Sequence, residues 1–316
     1  AGSQKVVYAL AVVEEDWGGP LPPVLYAAGR LTAMGDGTVV TGLAKWNGTS
    51  WSAVPGIVES APGNPGVDGI TALGVHRDGA GETLWVGGDM LGNGVPCVFS
   101  DGGPLGGTIA NDYLGLPMTV QRIAQFGQDM YFLGPPSGPA PTPCVQGSYR
   151  GGLYRWNAAS GQTAWVADID ALTHALGSLG TGDRLHVGTM TSIDFDLGGP
   201  GSTELFIGGN FNVVGGRMRT DMCLFDGTNF ESIVPHASHA LGLVGSARQG
   251  AGRVLYAADL DGSGPLPRSL IVAGRFHGAG DVVSPNVIGF NGASYFPMPV
   301  GASAALCDGV DFNGSP

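Results

Sequence analysis

Short apolar runs that close on glycine recur along this chain, at 25–29 (LYAAG), 84–88 (LWVGG), 130–134 (MYFLG), 205–209 (LFIGG) and 270–274 (LIVAG). Each has strand length and reads as a strand. Upstream lie further apolar strands that end in acidic turns, clearest at 6–16 (VVYALAVVEED), 186–196 (HVGTMTSIDFD) and 253–265 (RVLYAADLDGSGP). Downstream, two aromatics bracket a turn: KWNGTSW at 45–51, LFDGTNF at 224–230, GFNGASY at 289–295 and, more loosely, RWNAASGQTAW at 155–165. Asn-Gly and Asp-Gly supply the positive φ of a tight hairpin. A four-residue loop around Asn47 and Gly48 would set Trp46 opposite Trp51; Trp156, Trp165, Phe225, Phe230, Phe290 and Tyr295 hold the corresponding places. The pattern therefore predicts four strands per unit.

Units one, four and five each span about fifty residues, a period that with four strands per unit marks a β-propeller blade. The expectation is an all-β chain, a single β-propeller of five four-stranded blades at 6–57, 69–112, 119–169, 184–235 and 252–301, with a tail at 302–316. Spare length falls in the links 57–68, 170–183 and 236–250 and in an insertion at 135–151. Links between blades and loops from second to third strands emerge on one face of a propeller, so that face is elaborated and is where function is expected. Ring closure would rest on packing of blade one on blade five, with the tail as a clasp.

The apolar run ending in Gly-Gly, followed by aromatic third and fourth strands, resembles the kelch-type repeat. Residues 205–233 and 270–298 are more closely similar to the tandem repeat of secreted bacterial propeller proteins, with its GG-x-F, A-GG and W-D-G-x-x-W pattern. Repeat two departs at CVFSDGGPLGG (97–107), which lacks the second aromatic; repeat three lacks Gly-Gly and carries the insertion. The resemblance implies a secreted or cell-surface protein and no catalytic residues. The stretch CDGVDFN at 307–313 resembles the opening of a calcium-loop tail found in such proteins.

A net charge of −12 and only 14 Lys and Arg argue against nucleic acid, because phosphate contacts need clustered cations. No apolar run approaches the ~20 residues of a membrane-spanning helix. The start AGSQK suits a mature secreted form and equally suits a chain trimmed by other means, so secretion is inferred from composition. Asn47 and Asn313 begin glycosylation sequons, but Asn47 already serves its turn.

Chemistry is sparsely signalled. Of six histidines only His236 and His239 have ligand-like spacing, without a third ligand. Acidic clusters at 14–16, 168–170, 194–196 and 259–261 mostly occupy one kind of turn, as solvated carboxylates would, so no catalytic acid pair is expected. Asp259 and Asp261 have the D-x-D-G spacing that can wrap calcium but lack the distal bidentate Glu, which makes a plain turn the simpler expectation and no cofactor the default. Cys97 and Cys223 are read as equivalent third-strand fillers in blades two and four, not bonded to each other; Cys144 and Cys307 are the pair free to meet.

The expected function is protein interaction and assembly, with another copy of the chain as partner. Its surface would be the Pro-rich insertion (Pro135, Pro136, Pro141, Tyr149) and the link bearing Leu241, Leu243 and Val244, apolar residues placed in a loop. The alternative is a propeller that binds or cleaves surface glycans.

Overall fold

The computed structural model describes residues 6–16, 18–54, 69–89, 97–100, 120–134, 148–172, 189–195, 203–209, 211, 213–218, 222–231, 233, 243–244, 251–260, 268–276 and 278–298. These residues contain antiparallel strands and no helix. The chain divides into two compact units, one of residues 1–144 and 150–167, the other of residues 145–149 and 168–316.

In the first unit, Val6–Val13, Val24–Arg30, Leu43–Trp46 and Trp51–Ala53 form a four-stranded meander in chain order. A second sheet follows from Gly69–Asp78, Gly81–Asp89 and Cys97–Ser100. A third runs through Arg122–Phe126, Asp129–Gly134, Ser148–Asn157 and Gln162–Leu172 and on to Val213–Val214 and Arg217–Met218, six strands where four are expected, with the unit boundary falling inside its third and fourth strands. Faces pack on faces. Val13, Leu43, Leu73, Leu84 and Val86 form one core, and Trp85, Ile123, Met130 and Phe132 another. Each such side chain contributes about 2 kcal/mol by leaving water. The second unit repeats the scheme with Thr189–Ile193, Glu204–Gly208, Met222–Phe225 and Phe230–Glu231, then Ala251–Ala258, Ser269–Arg275, Val287–Phe290 and Tyr295–Pro297. Its core gathers Phe195, Phe206, Leu255, Leu270, Val272 and Ile288.

The closing glycine of the apolar runs has a local cause. The first strand carries a β-bulge at one position in three sheets, between Val7 and Ala9, Ile70 and Ala72, and Gly252 and Val254. Gly29 and Gly88 lie opposite two of these bulges, and a Cβ on either would fall inside the carbonyl oxygen of Val6 or Gly69. The bulge pushes the first strand against its partner's backbone, so only glycine fits.

Strand boundaries differ from the sequence expectation where pairing extends an element. Ser148 to Gly151 are strand, not insertion, and the third sheet's last strand runs on to Leu172, into the expected link. The register also corrects the equivalence of Cys97 and Cys223. Cys223 faces Ile207, the third residue of its glycine-closed run, whereas Cys97 faces Gly88, the fifth of its own; Phe99 faces Val86 and is the residue that matches Cys223. The aromatic spacing misled because repeat two lacks the second aromatic that would have fixed the alignment. Cys223 is fully buried.

Candidate functional site

The loops between second and third strands, and the links that enter each sheet, are the segments the sequence marks for function. They begin on a buried apolar anchor: Leu31, Phe211 and Phe276 sit at the root of three such loops. From each anchor the chain makes a small hairpin. Ala33 bridges to Val39; Val213–Val214 pairs with Arg217–Met218; Gly278–Ala279 pairs with Val282–Val283. The turns use glycines at positive φ, Gly37 at 88°, Gly215 and Gly216 at 55° and 75°, and Gly280 at 54°. The chain then re-enters the sheet through a left-handed residue, Gly42 at 73° in the first sheet and Asn286 at 67° in the last. Both make the same pair of bonds: Gly42 N–H to Leu31 O and Gly29 N–H to Gly42 O, and Asn286 N–H to Phe276 O and Gly274 N–H to Asn286 O.

The aromatic hairpins carry these small hairpins. Trp46 faces Trp51 with ring centroids 5.3 Å apart, Phe225 faces Phe230 at 4.6 Å, and Phe290 faces Tyr295 at 5.1 Å. The second aromatic of each pair is a shelf. A Cβ at Gly215 would lie 3.5 Å from the Phe230 ring, and one at Gly280 would lie 3.7 Å from Tyr295. In the first sheet Asp36 Oδ2 accepts the Trp51 N–H at 3.3 Å, and Met34 and Trp51 pack on the same small core. Asn47 Oδ1 takes the N–H groups of Thr49 and Ser50, Asp226 Oδ1 those of Thr228 and Asn229, and Asn291 Oδ1 those of Ala293 and Ser294. Trp156 and Trp165 depart from this rule. Trp165 stacks edge-on to Tyr154 at 4.8 Å, while Trp156 lies 4.8 Å from Trp85, because a turn closed by Gly161 N–H to Asn157 O lengthens the loop.

Links and small hairpins meet. Leu243–Val244 pairs antiparallel with Gly278–Ala279, and Ile169 and Asp170 pair with Val214 and Val213. Leu243 and Val244 are thus a short strand added to the edge of a hairpin, not an open loop, since an edge satisfies their backbone groups at no cost in sheet geometry. Val214 and Ala279 are fully buried. The free tips are apolar at one equivalent position: Val39 is 76% exposed and Val283 79%, each three residues before the left-handed residue. No sequence signal marks these valines, because their equivalence depends on the register.

Pro135, Pro136, Pro141, Leu241, Asp261, His236, His239, Cys144 and Cys307 lie outside the described residues; Tyr149 falls on a strand, and Asp259 is exposed just after one. The carboxylates of the turns between first and second strands hold neighbouring strands. Glu15 accepts from the Tyr26 hydroxyl and from Lys45 Nζ at 3.0 Å. Buried Glu82 accepts the Glu14 N–H at 2.8 Å and pairs with Arg77. Asp129 takes Arg155 Nε at 2.6 Å and the Ala158 N–H at 2.9 Å. Among the described residues no group of three or more His, Cys, Asp or Glu is arranged to hold a metal ion.

No protein-family model and no curated protein matches the sequence. Among solved structures the chain is similar to the GH74 enzyme of Niastella koreensis, at 13% identity and a TM-score of 0.43, over 86% of this chain and 35% of that one. The chain thus spans about a third of that protein's length.

Proposed function

We propose that the chain is a five-bladed β-propeller of the secreted or cell-surface space that acts without catalysis as an assembly module, associating with other copies of itself through the face that carries the small hairpins and links. The fold part of this reading is supported by the repeated bulge, which aligns the first strands residue by residue. Leu73 and Leu255 hold the place of Leu10, and both are buried against a preceding sheet, while Leu10 is 61% exposed. Ala72 holds the place of Val254 and is buried against a following sheet, while Val254 and Tyr256 are exposed.

The observation that carries the function is the pair of valines at equivalent hairpin tips, Val39 and Val283. Apolar side chains this exposed on a repeated, glycine-shaped tip are stable when another surface covers them. A low charge density leaves little repulsion to oppose that. Carboxylates occupied in holding strands support the absence of acid–base chemistry.

A glycan-binding reading is favoured by one observation: Trp165, 48% exposed, lies directly over Gly152, where any side chain would displace it. A ring so backed by chain could stack on a sugar.

Light scattering over a concentration series tests the proposal, with Val39→Asp and Val283→Asp combined in one variant. The native chain is expected to associate and the variant to stay monomeric with unchanged secondary structure. A native chain monomeric at high micromolar concentration, or one that hydrolyses or binds members of a glycan panel in its place, overturns it.

A further inference from the structure

In the second unit two small hairpins carry an added strand on the edge of their first arm. Ile169 and Asp170 pair with Val214 and Val213, and Leu243 and Val244 pair with Ala279 and Gly278. Both occupants are short extended segments that set a branched aliphatic side chain opposite the second residue of the arm. The first sheet has the same hairpin. Leu31 is the equivalent of Phe276 by their matching bonds to Gly42 and Asn286, so Ala33 and Met34 stand where Gly278 and Ala279 stand. Met34 N–H donates to Thr38 O at 2.9 Å and Val40 N–H to Thr32 O at 3.2 Å. Backbone groups alternate in direction along a strand, so the N–H and C=O of Ala33 point away from the hairpin. Among the described residues no strand pairs with that edge, and Ala33 is half-buried where Gly278 is buried.

The last sheet's hairpin offers the complement. Val282–Val283 is its second arm and ends the ladder among the described residues, with Leu243–Val244 on the far side. Ala279 and Val282 close the turn, so the next pair, Gly278 and Val283, is the wide one, and the N–H and C=O of Val283 point outward. Its side chain is 79% exposed. Val282–Val283 is thus a short aliphatic strand with a free edge, of the kind that fills the other two sites.

We propose that Ala33–Met34 is an acceptor edge and that its occupant is Val282–Val283 of a second copy, antiparallel, with Val282 opposite Met34 and Val283 opposite Ala33. This rests on the self-association proposed above and names the contact that produces it. Ala33 and Val283 exchange main-chain hydrogen bonds across the copies, as one edge strand adds to another sheet. The only charges on the two hairpins, Asp36 and Asp281, sit at exposed turns where water screens them. Two different edges meet, so the contact is heterologous, and each copy is acceptor at one place and donor at another.

Two proline variants test this. Proline at either position removes an outward N–H and leaves the hairpin's own bonds, which use the neighbouring residues. Ala33→Pro keeps the donor edge and Val283→Pro keeps the acceptor edge. By light scattering at high micromolar concentration the native chain is expected to associate and each variant alone to stay monomeric. An equimolar mixture of the two should form a dimer, about twofold the mass of either alone. Association of either variant to the native extent, or a mixture that stays monomeric while the native chain associates, overturns the proposal and leaves self-association standing; a native chain that stays monomeric removes both. If a variant unfolds, amide exchange in the native chain decides. Ala33 and Val283 should exchange about 10-fold more slowly at high than at low micromolar concentration, while Gly278, whose edge is filled, should not change. Protection of Ala33 that is independent of concentration overturns the proposal, because the same chain then fills the edge.

Discussion

Tyr295 concentrates several demands in one side chain. Its ring supports the turn at Gly280 and packs on Phe290, while its hydroxyl is buried and has no hydrogen-bond partner among the described residues. Burial pushes its pKa well above the ordinary tyrosine value of 10.0. The folded state therefore holds this proton more tightly than the unfolded chain does. The group's contribution is complete below pH 10 and is lost as pH rises above it toward the folded value. Tyr295→Phe should keep the shelf, leave the melting temperature at pH 7 unchanged or slightly raised, and flatten the alkaline fall in stability between pH 9 and about 11. Tyr131, raised by burial in the same direction, should preserve part of that fall. Thermal melts of both proteins across that range decide it, and a loss of more than about 2 kcal/mol at pH 7 would mean the hydroxyl has a partner.

Among elements, the aromatic hairpin is the one most fully written in the sequence, and its turn residue is interchangeable within a chemical limit. Asp226, Asn47 and Asn291 use one oxygen in the same way, so Asp226→Asn should be tolerated and Asp226→Ala should cost about 0.5–1 kcal/mol. The Asn229 and Thr228 N–H groups hold the Asp226 carboxyl below its usual pKa, with burial opposing them. Its contribution is thus present above the unfolded carboxylate pKa of about 3.9 and is lost as pH falls through the lower folded value. The native chain should lose this small increment below about pH 4, and Asp226→Asn should not; urea midpoints at pH 3 and pH 7 measure both. The same hairpin explains why its second aromatic recurs. Trp51, Phe230 and Tyr295 each support the loop between second and third strands, so an element that reads as local structure sets the position of the small hairpins proposed for assembly.

At the scale of the molecule, the stacking of successive sheets makes a claim about the residue just past the bulge. Leu255→Ala should cost about 2–5 kcal/mol, because Leu255 is buried among Ile193, Phe206 and Leu270, whereas Leu10→Ala, at the equivalent place but exposed, should cost little. Denaturant titration of both variants separates them; equal and negligible losses would mean that Leu255 is not a core residue. Much of this architecture was legible beforehand. Five glycine-closed runs, the aromatic hairpins and the acidic turns fixed the all-β class and most strands, because strand period, turn chemistry and glycine need are properties of a few adjacent residues. Pairing was not legible. Leu243 and Val244 read as an uncovered loop because their partners, Ala279 and Gly278, lie more than thirty residues away and carry no signal of their own. Cys97 and Phe99 were misaligned for the same reason, since register is set by cross-strand contacts that a degenerate repeat no longer spells out. The equivalence of the two exposed valines emerges only when sheets are superposed by hydrogen bonds. Sequence by itself thus determined which segments are strands and turns, through local conformational preference; only the tertiary structure decided which edges are filled and which face is left apolar, because those depend on partners distant along the chain.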